Sequence, residues 1–327
     1  MPTFLVTSRM SPALAARVEA SVTGRSSSPR AAGRRLVALA RFVGLGVVAF
    51  AVVSLVAARR RAGSELEIAR AALLADVRAH AASLTPAEHE LPTRISPWIV
   101  AGAGAYAGDL VDPELRAPGA LEARLAEPTV YVRGAQPTLT TPRGVVEAAR
   151  ASAKDALLLC LVEPPSASTE KVMLGRVRVA YTGGAEARTP RVRRLGDAHV
   201  GLPFLAPAWE RRVLEAESPR ALRDLRRDLE RAPLASAKAA AQARWLLFAI
   251  DEPGHGAGPT EIDGERAHAI RLSLLEVSTG RVLLRLRREV DPSGFTEAAR
   301  VQFASGLDSC RFALDVLEAT HKPSQYN

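Results

Sequence analysis

The sequence predicts a mixed α/β (α+β) fold, in which one N-terminal transmembrane helix precedes a soluble mixed-sheet domain with flanking helices. Three observations support this class. Residues 36–58 form an apolar stretch long enough to cross a bilayer. Later segments show the alternation or the continuous apolarity of strands, and the segments between them repeat apolar residues at helical spacing. With 327 residues, of which 47% are hydrophobic, the chain is able to bury a core of this kind.

The net charge of +9 is concentrated in the N-terminal segment. Residues 1–61 contain ten arginines, no lysine and one acid, Glu19, so this segment alone carries +9. Of the 44 bases and 35 acids in the chain, 34 of each remain after residue 61, and the body is therefore neutral. Because phosphate binding needs clustered Lys and Arg, this distribution argues against a nucleic-acid partner. Residues 1–35 are rich in Ser, Ala and Arg without periodicity, which predicts a disordered basic tail.

Residues 36–58 are predicted to be a transmembrane helix that contacts membrane lipid. Residues 42–58 contain no charge, and Arg41 alone interrupts the longer stretch. A helix of this length spans about 34 Å, which matches a bilayer core when Arg41 reaches the headgroups. The alternative is a secretory signal peptide, whose apolar part would be unusually long and whose cleavage site would precede the three arginines of residues 59–61. An uncleaved anchor is preferred, so we expect a single-pass membrane protein.

The flanking charges do not decide the orientation of this anchor. The positive-inside rule counts bases within about twenty residues of each end of a span. Each side has five such arginines: Arg17, Arg25, Arg30, Arg34 and Arg35 upstream, and Arg59, Arg60, Arg61, Arg70 and Arg78 downstream. The short N-terminal tail and Arg41 favour a body outside the cytoplasm, which is the expectation adopted here. The arginine triplet after the span favours the reverse.

Residues 59–127 are predicted to be a juxtamembrane helix followed by a connector rich in Gly, Pro and Ala. Ser64 and Glu67 have the spacing of a capping box, which predicts a helix start at this point. Residues 101–108 alternate small residues and superficially resemble a phosphate-binding turn. Their spacing departs from G-x-G-x-x-G, so a flexible small-residue linker is expected instead.

Residues 128–320 are predicted to be the mixed α/β domain. Residues 129–133 alternate β-branched and aromatic side chains, which is typical of a strand. Thr141 and Pro142 provide an N-cap and a first-turn proline, so a helix is expected to begin there. Residues 156–162 are continuously apolar, which predicts a central strand buried on both faces.

The order of helix, apolar strand and acidic-proline stop is predicted to occur twice in the domain. Residues 234–243 have a helical alanine-rich pattern, and residues 245–250 form a second apolar run. Glu252 then aligns with Glu163, and each is followed by proline. Two copies suggest two related helix–strand units with neighbouring strands in one sheet, and chance similarity is the equal alternative.

The rest of the domain is predicted to contain two long helical regions and one hairpin. Residues 168–182 fit either a capped helix or an alternating strand, and the choice stays open. Residues 207–231 are mainly helical in pattern. Residues 270–286 alternate on either side of a Ser-Thr-Gly turn, which predicts a β-hairpin. A long helix is expected over residues 295–319, and residues 321–327 form a tail.

From about Trp245 onward, the order of elements resembles that of a known class of domains. The order is apolar strand, acidic loop, hairpin and terminal helix, and its most specific motif is the turn Ser278-Thr279-Gly280-Arg281. It resembles bacterial envelope domains of the TolB amino-terminal and curli-assembly lipoprotein type over about a quarter of the chain. The lipoprotein cysteine that those families often carry is missing. The resemblance implies an envelope-facing α/β module that binds other envelope components, and it carries over no catalytic residue.

Four residues are surface candidates for a functional site: Glu163, Asp251, Glu252 and His255. Glu163 and Glu252 would meet at one sheet edge if the repeat holds. Carboxylates placed in this way are able to perform general acid/base chemistry in a cleft. His255 lies beside clustered acids, and a solvent-exposed loop is the simpler interpretation for it. No catalytic residue is assigned.

No cofactor or metal site is expected. The six histidines are scattered without an i, i+4 pair, and neither cysteine has metal-ligand spacing. Cys160, in a predicted core strand, and Cys310, on the inner face of the last predicted helix, are expected to be buried free thiols. A disulfide between them is the alternative if the body lies outside the cytoplasm.

These observations predict a membrane-tethered, non-enzymatic envelope module that acts through contacts with a protein partner. The anchor, the neutral body and the lack of a recognisable catalytic motif support this prediction. Two alternatives remain. One is a membrane-bound hydrolase or transferase that uses carboxylates at strand ends, and the other is a cytoplasm-facing membrane adaptor, which differs only in topology.

Overall fold

The structure is a computed structural model that confirms a mixed α/β fold built on one six-stranded mixed sheet. It describes residues 29–254 and 267–321, and within them the side chains of residues 29–46, 58–62 and 300–305 are not described.

The described helices are numbered in chain order. They are α1 (Pro29–Ala81), α2 (Pro86–His89), α3 (Leu91–Ala103), α4 (Ala120–Leu125), α5 (Gln136–Leu139), α6 (Pro142–Ala151), α7 (Ala156–Val162), α8 (Glu170–Val179), α9 (Ala185–Arg188), α10 (Leu195–Gly201), α11 (Pro207–Leu214), α12 (Pro219–Arg231), α13 (Leu234–Ala241) and α14 (Glu297–His321).

The described strands are numbered in the same way. They are β1 (Leu110–Val111), β2 (Thr129–Ala135), β3 (Val192–Arg194), β4 (Trp245–Asp251), β5 (His268–Glu276) and β6 (Val282–Val290). Their order in the sheet is β1-β6-β5-β4-β2-β3. Strand β2 pairs in parallel with β3 and β4, and the remaining pairs are antiparallel.

Helix α1 continues through Ser64, so the predicted helix start at that residue is wrong. The residues on both sides are mostly Ala, Arg, Leu and Glu, which propagate a helix rather than end one. The boundary between the two compact units of the chain, Met1–Ile68 and Ala69–Asn327, falls inside this helix. No helix in the described part of the chain combines the length and apolarity of a membrane span.

The predicted hairpin is confirmed by β5 and β6. Gly280 sits in the turn with a φ of +72°, a left-handed conformation that favours glycine, and its N–H donates to the Glu276 carbonyl over 2.8 Å. Because β5 also pairs with β4, the hairpin extends the sheet away from the parallel strands.

Helices cover both faces of the sheet. On one face, Tyr131 of β2 and Leu247 of β4 share a buried cluster with residues of α7, α8 and α14. On the other face Gly134 permits close packing of α6, because a Cβ at this position would lie 2.8 Å from the Ala148 Cβ. This three-layer arrangement explains why β4 is buried along its whole length.

The predicted central strand at residues 156–162 is wrong, because these residues form helix α7. Asp155 caps the helix by accepting a hydrogen bond from the Leu158 N–H over 3.1 Å. The run is mostly Ala and Leu, which favour helix, and residues 156–161 are buried between the sheet and its neighbouring helices. Continuous apolarity therefore signalled burial and not strand geometry.

The predicted helix–strand repeat is also wrong. Helix α13 and strand β4 form the second unit as expected, but in the first unit a helix, α6, is followed by another helix, α7. The open choice at residues 168–182 is settled as helix α8 followed by a π-type turn in which Gly183 has a φ of +84°.

The remaining predicted helices are confirmed with small shifts of their ends. Helices α11 and α12 account for the pattern in residues 207–231, and the Ser218 hydroxyl caps α12 by accepting from the Ala221 N–H over 3.2 Å. Thr141 caps α6 in the same way. Helix α14 corresponds to the predicted terminal helix.

Candidate functional site

A largely buried group of charged and polar residues lies where the parallel strands β2 and β4 end. We name it the carboxyl-end cluster, and its members are Arg133, Asp155, Asp251, His268, Asp308 and Ser309. Ligands of open α/β sheets bind outside the carboxyl ends of their strands, so this is where a functional site of the fold is expected.

Arg133 and Asp251 form the centre of the carboxyl-end cluster. Arg133 lies near the end of β2 and Asp251 is the last residue of β4. The Arg133 Nε donates to Asp251 Oδ2 over 3.0 Å, and its Nη2 donates to Oδ1 over 2.7 Å. The two side chains are 4% and 0% exposed, so this two-point ion pair is buried and shielded from solvent.

The remaining guanidinium nitrogen of Arg133 connects the sheet to two helices. Its Nη1 donates to Asp155 Oδ2 and to Ser309 Oγ, each over 2.8 Å. Asp155 is the N-cap of α7, and Ser309 belongs to α14. The Tyr131 hydroxyl also donates to Asp155 over 3.1 Å. A single arginine therefore joins β2, β4, α7 and α14.

His268 reaches the same place from the neighbouring strand. It is the first residue of β5, which runs antiparallel to β4, so its position lies beside the end of β4. Its Nε2 is 3.9 Å from the Asp251 Oδ1, and its side chain is 2% exposed. The imidazole thus lies beside the Asp251 carboxylate, on the β5 side of the cluster.

Asp308 differs from the other acids of the cluster. Neither of its carboxylate oxygens has a hydrogen-bond partner among the described residues, and the residue is 1% exposed. Burial, and to a smaller extent the nearby Asp291 carboxylate, raise the pKa of Asp308 from 3.8 to about 7. The positive charges of Arg311 and Arg133 lower this pKa but do not offset the burial.

These contacts limit the chemistry of the cluster. The charges of Arg133 and Asp251 are directed at each other, and Asp155 is held by a guanidinium, a hydroxyl and a helix N–H. Asp308 has a pKa of about 7, but it is closed off from solvent. The described arrangement therefore serves to join the sheet to its helices.

Glu252, one of the sequence candidates, belongs to a separate ion-pair group. It follows Asp251 in the chain and accepts from the Nε of Arg271, and from the Nε and Nη2 of Arg287 over 3.0 and 2.9 Å. Burial acts to raise the pKa of Glu252, but the hydrogen bonds from Arg287 and Arg271 hold it below its ordinary value. Glu252 is therefore an ionised partner of two arginines.

Residues 101–108 are held against the sheet by arginines, which corrects the expected flexible linker. The Nη1 of Arg271 donates to the carbonyls of Gly102 and Gly104, over 3.1 and 2.6 Å. The Nε of Arg285 donates to the Gly108 carbonyl over 2.7 Å. These contacts present carbonyl oxygens to cations, whereas a phosphate-binding turn presents N–H groups to an anion.

Glu163 lies away from the other candidates. It is the C-cap residue of α7 and accepts from the guanidinium groups of Arg176 and Arg188, the second over 2.6 Å. Asp155, at the opposite end of the same helix, is the residue that reaches the carboxyl-end cluster. The structure therefore does not place Glu163 and Glu252 at one sheet edge. His255, the fourth candidate, lies outside the described residues.

Cys160 of α7 and Cys310 of α14 form a disulfide, which corrects the expected pair of free thiols. Their Cα atoms are 5.3 Å apart, and both residues are fully buried. Helix α7 brings Cys160 against α14, whereas the predicted strand gave no basis for choosing between thiols and a bridge. The disulfide lies one residue beyond Ser309 and adds a covalent link between the helices that Arg133 connects.

Of the cluster, only Asp251 is among the residues that the sequence predicts, and Arg133, Asp155 and Asp308 show why the others escape prediction. Arg133 had a usable signal, because it shares the inward side of β2 with Tyr131 and a charged residue at an inward position is unusual. Asp155 is not recognisable as a helix cap when the segment after it is predicted to be a strand. Asp308 lies inside an otherwise regular helical pattern and had no local signal.

Among the described residues, no group of three His, Cys, Asp or Glu side chains has an arrangement suited to a metal ion. No known protein family, curated protein or solved structure matches the chain. Its function is therefore argued from its own residues.

Proposed function

We propose that the chain is a single-pass membrane-anchored protein whose α/β body lies outside the cytoplasm and acts as a non-enzymatic interaction module. The anchor is residues 36–58, and the body acts through contacts with a protein partner. The main support for this proposal is that the large apolar side chains described within residues 36–58 are exposed.

Seven large apolar residues of α1 are exposed within ten consecutive positions. The exposed fraction is 45% for Val56 and 75% for Phe50, and the others lie between these values: Val47, Val48, Val52, Val53 and Leu55. At about 100° per residue these positions point in every direction around the helix. A helix that is apolar on all sides is stable when lipid or other apolar groups surround it.

The free energy at stake is large. Burying one side chain of this size stabilises a protein by about 1.5–3 kcal/mol, so seven of them represent on the order of 10 kcal/mol. In water this surface would drive aggregation. A bilayer would remove it from water, and the proposed span extends back to Leu36 to reach the required length.

The disulfide supports a body outside the cytoplasm. Structural disulfides persist in oxidising compartments and are rare in the cytosol, where thiols are kept reduced. Cys160 and Cys310 are the two cysteines of the chain, and both are used in one buried bridge. This favours the extracytoplasmic module over the cytoplasm-facing adaptor, and it fits the resemblance to bacterial envelope domains.

The arrangement of the acids favours an interaction module over a hydrolase or transferase. Asp251 and Glu252 are engaged by arginines, and Glu163 lies on a different element with arginines of its own. General acid/base work needs a group that meets substrate with a suitable pKa. Asp308, whose pKa is about 7, is buried away from solvent.

The anchor is tested by placing charge inside the exposed apolar stretch. We predict that the unmodified chain stays with the membrane pellet after alkaline carbonate washing, and that Val48→Arg combined with Val53→Arg releases it. Each central arginine costs about 2.5–3.5 kcal/mol of insertion free energy. Immunoblots of pellet and supernatant measure the outcome.

Leu214→Arg provides the matched control, because Leu214 is a half-exposed apolar residue of the body. This variant is expected to remain in the pellet. If the unmodified chain is released by carbonate, or if the Leu214 variant is released as fully as the double variant, the proposed anchor is contradicted.

A further inference from the structure

The outer face of helix α12 carries a line of arginines. The helix buries Leu222, Leu225 and Leu229, and these three residues define its inner side. At about 100° per residue, four exposed arginines fall within an arc of about 80° on the opposite side. We name them the arginine stripe, and its members are Arg220, Arg223, Arg227 and Arg231.

The arginine stripe has little charge compensation within the chain. Apart from Arg227, its members have no hydrogen bond or ion pair with any residue that the structure describes. The Nη1 of Arg227 lies 3.4 Å from an oxygen of Asp224, but the two side chains are 57% and 54% exposed, so solvent screens this pair. Arg226, which lies outside the stripe, pairs with Asp76 of α1. The positive charge of the stripe is therefore presented to the surroundings.

The spacing of the arginine stripe opposes the stability of the helix. Arg223, Arg227 and Arg231 follow one another at intervals of four residues, where the side chains of a helix are neighbours. Like charges at this spacing repel each other. Arg220 lies in the first turn, which contains no acid, and there the helix dipole also repels a positive charge. Helix stability alone therefore does not explain the stripe, whereas an anion bound along it would relieve both repulsions.

The narrowness of the arginine stripe selects the shape of the anion. Asp224 and Asp228 lie on one side of the stripe and Glu230 lies on the other. A broad anionic surface, such as membrane headgroups, would bring its phosphates against these acids, whereas a narrow partner contacts the arginines alone. The stripe extends about 16 Å along the helix, which is the length of three helical turns. Its cations are all arginines, whose forked guanidinium binds a carboxylate through two hydrogen bonds.

We propose that the arginine stripe of α12 is the docking surface for an acidic helix of a partner protein, whose carboxylates follow one another at intervals of four residues. This inference rests on the proposed function of the body as an interaction module, and it gives the chemistry of the partner. The carboxylates of the partner helix accept hydrogen bonds from the guanidinium groups and supply the compensating charge that α12 lacks.

Binding of a designed peptide to the full-length chain, held in nanodiscs of zwitterionic lipid, tests the docking surface. The probe is a fluorescent, helix-stabilised alanine peptide with glutamates at intervals of four residues. Its isomer has the same composition, but its glutamates are spread around the helix. Fluorescence anisotropy at about 0.1 M salt is expected to show roughly tenfold tighter binding of the probe than of the isomer, because only the probe aligns its carboxylates with the stripe.

Arg220→Gln combined with Arg223→Gln removes half of the arginine stripe. This stripe variant is expected to bind the probe roughly tenfold more weakly than the unmodified chain does. Its thermal unfolding temperature should be unchanged or slightly higher, because repulsions within α12 are removed. Arg143→Gln combined with Arg191→Gln is the matched control, since it removes the same charge from exposed positions outside α12. The control should bind the probe within about twofold of the unmodified chain, because distant charges are screened by salt.

Equal binding of the two peptides, or equal binding of the probe to the stripe variant and the unmodified chain, would overturn the proposal. A clear loss of thermal stability in the stripe variant would show that these arginines serve the fold, and it too would contradict the docking surface. Protection of residues 219–231 from hydrogen exchange by nanodiscs with anionic lipid would assign the stripe to headgroups instead. None of these outcomes affects carbonate extraction or the state of the disulfide, so failure of the docking surface is distinguishable from failure of the proposed function.

Discussion

At the scale of single residues, Arg133 links the sheet to the helices that pack on it. One guanidinium serves Asp251, Asp155 and Ser309, which lie on three different elements. A buried ion pair of this kind contributes little net stability compared with apolar packing. Removing one partner is costly, however, because the fully buried Asp251 carboxylate then remains without the guanidinium that neutralises it.

Arg133→Met is therefore predicted to destabilise the domain strongly. The variant keeps the volume of the side chain but leaves Asp251 and Asp155 without their cation, at a cost of about 3–5 kcal/mol. Urea unfolding of the full-length chain in detergent, followed by tryptophan fluorescence, measures the change in free energy of unfolding.

Arg143→Met is the matched control. Arg143 is 90% exposed and pairs with Glu147 one helical turn away. An exposed pair of this type contributes about 0.3–0.5 kcal/mol. Equal effects of the two substitutions would show that the charge of Arg133 is not needed for the fold.

At the scale of secondary-structure elements, local signals predicted those elements that have caps or strict alternation. Thr141 before Pro142 marks the start of α6, and the alternating run around Gly280 marks the hairpin. The prediction of a strand at residues 156–162 is wrong because the segment is apolar throughout. It therefore lacks the alternation of apolar and polar residues that would distinguish a helix from a strand. The pairing of Asp251 with Arg133 could not be predicted from local sequence patterns, because the two residues lie 118 positions apart in the chain.

Two helical glycines test the packing described for these elements. Gly144 lies in the first turn of α6, where an added Cβ would stand 1.7 Å from the Thr138 carbonyl oxygen. Gly144→Ala is therefore expected to destabilise the domain by about 1–3 kcal/mol, because backbone must move to admit the methyl group. Thermal unfolding of the variant measures the effect.

Gly175, exposed in α8, has nothing within 4 Å of an added Cβ. Gly175→Ala is expected to stabilise the protein by about 0.5–1 kcal/mol, through the higher helix propensity of alanine. Effects of the same sign in the two variants would contradict the packing assigned to α6.

At the scale of the whole molecule, two independent features support the proposal that the body is tethered to a membrane and lies outside the cytoplasm. The exposed apolar residues of α1 are the basis for the proposed lipid environment of the N-terminal helix, and the disulfide is the basis for the proposed oxidising environment of the body. The bridge closes a loop of 150 residues, which in the chain-entropy description stabilises the folded state by about 5 kcal/mol. In a reducing compartment this contribution would be absent.

The state of the two cysteines in cells tests the placement of the body most directly. Cells are quenched in acid, the protein is denatured, and free thiols are labelled with a maleimide of high mass before and after reduction. Membrane anchoring with an extracytoplasmic body predicts no labelled cysteine before reduction and two after it. Two labelled cysteines before reduction would place the body in a reducing compartment and contradict the account.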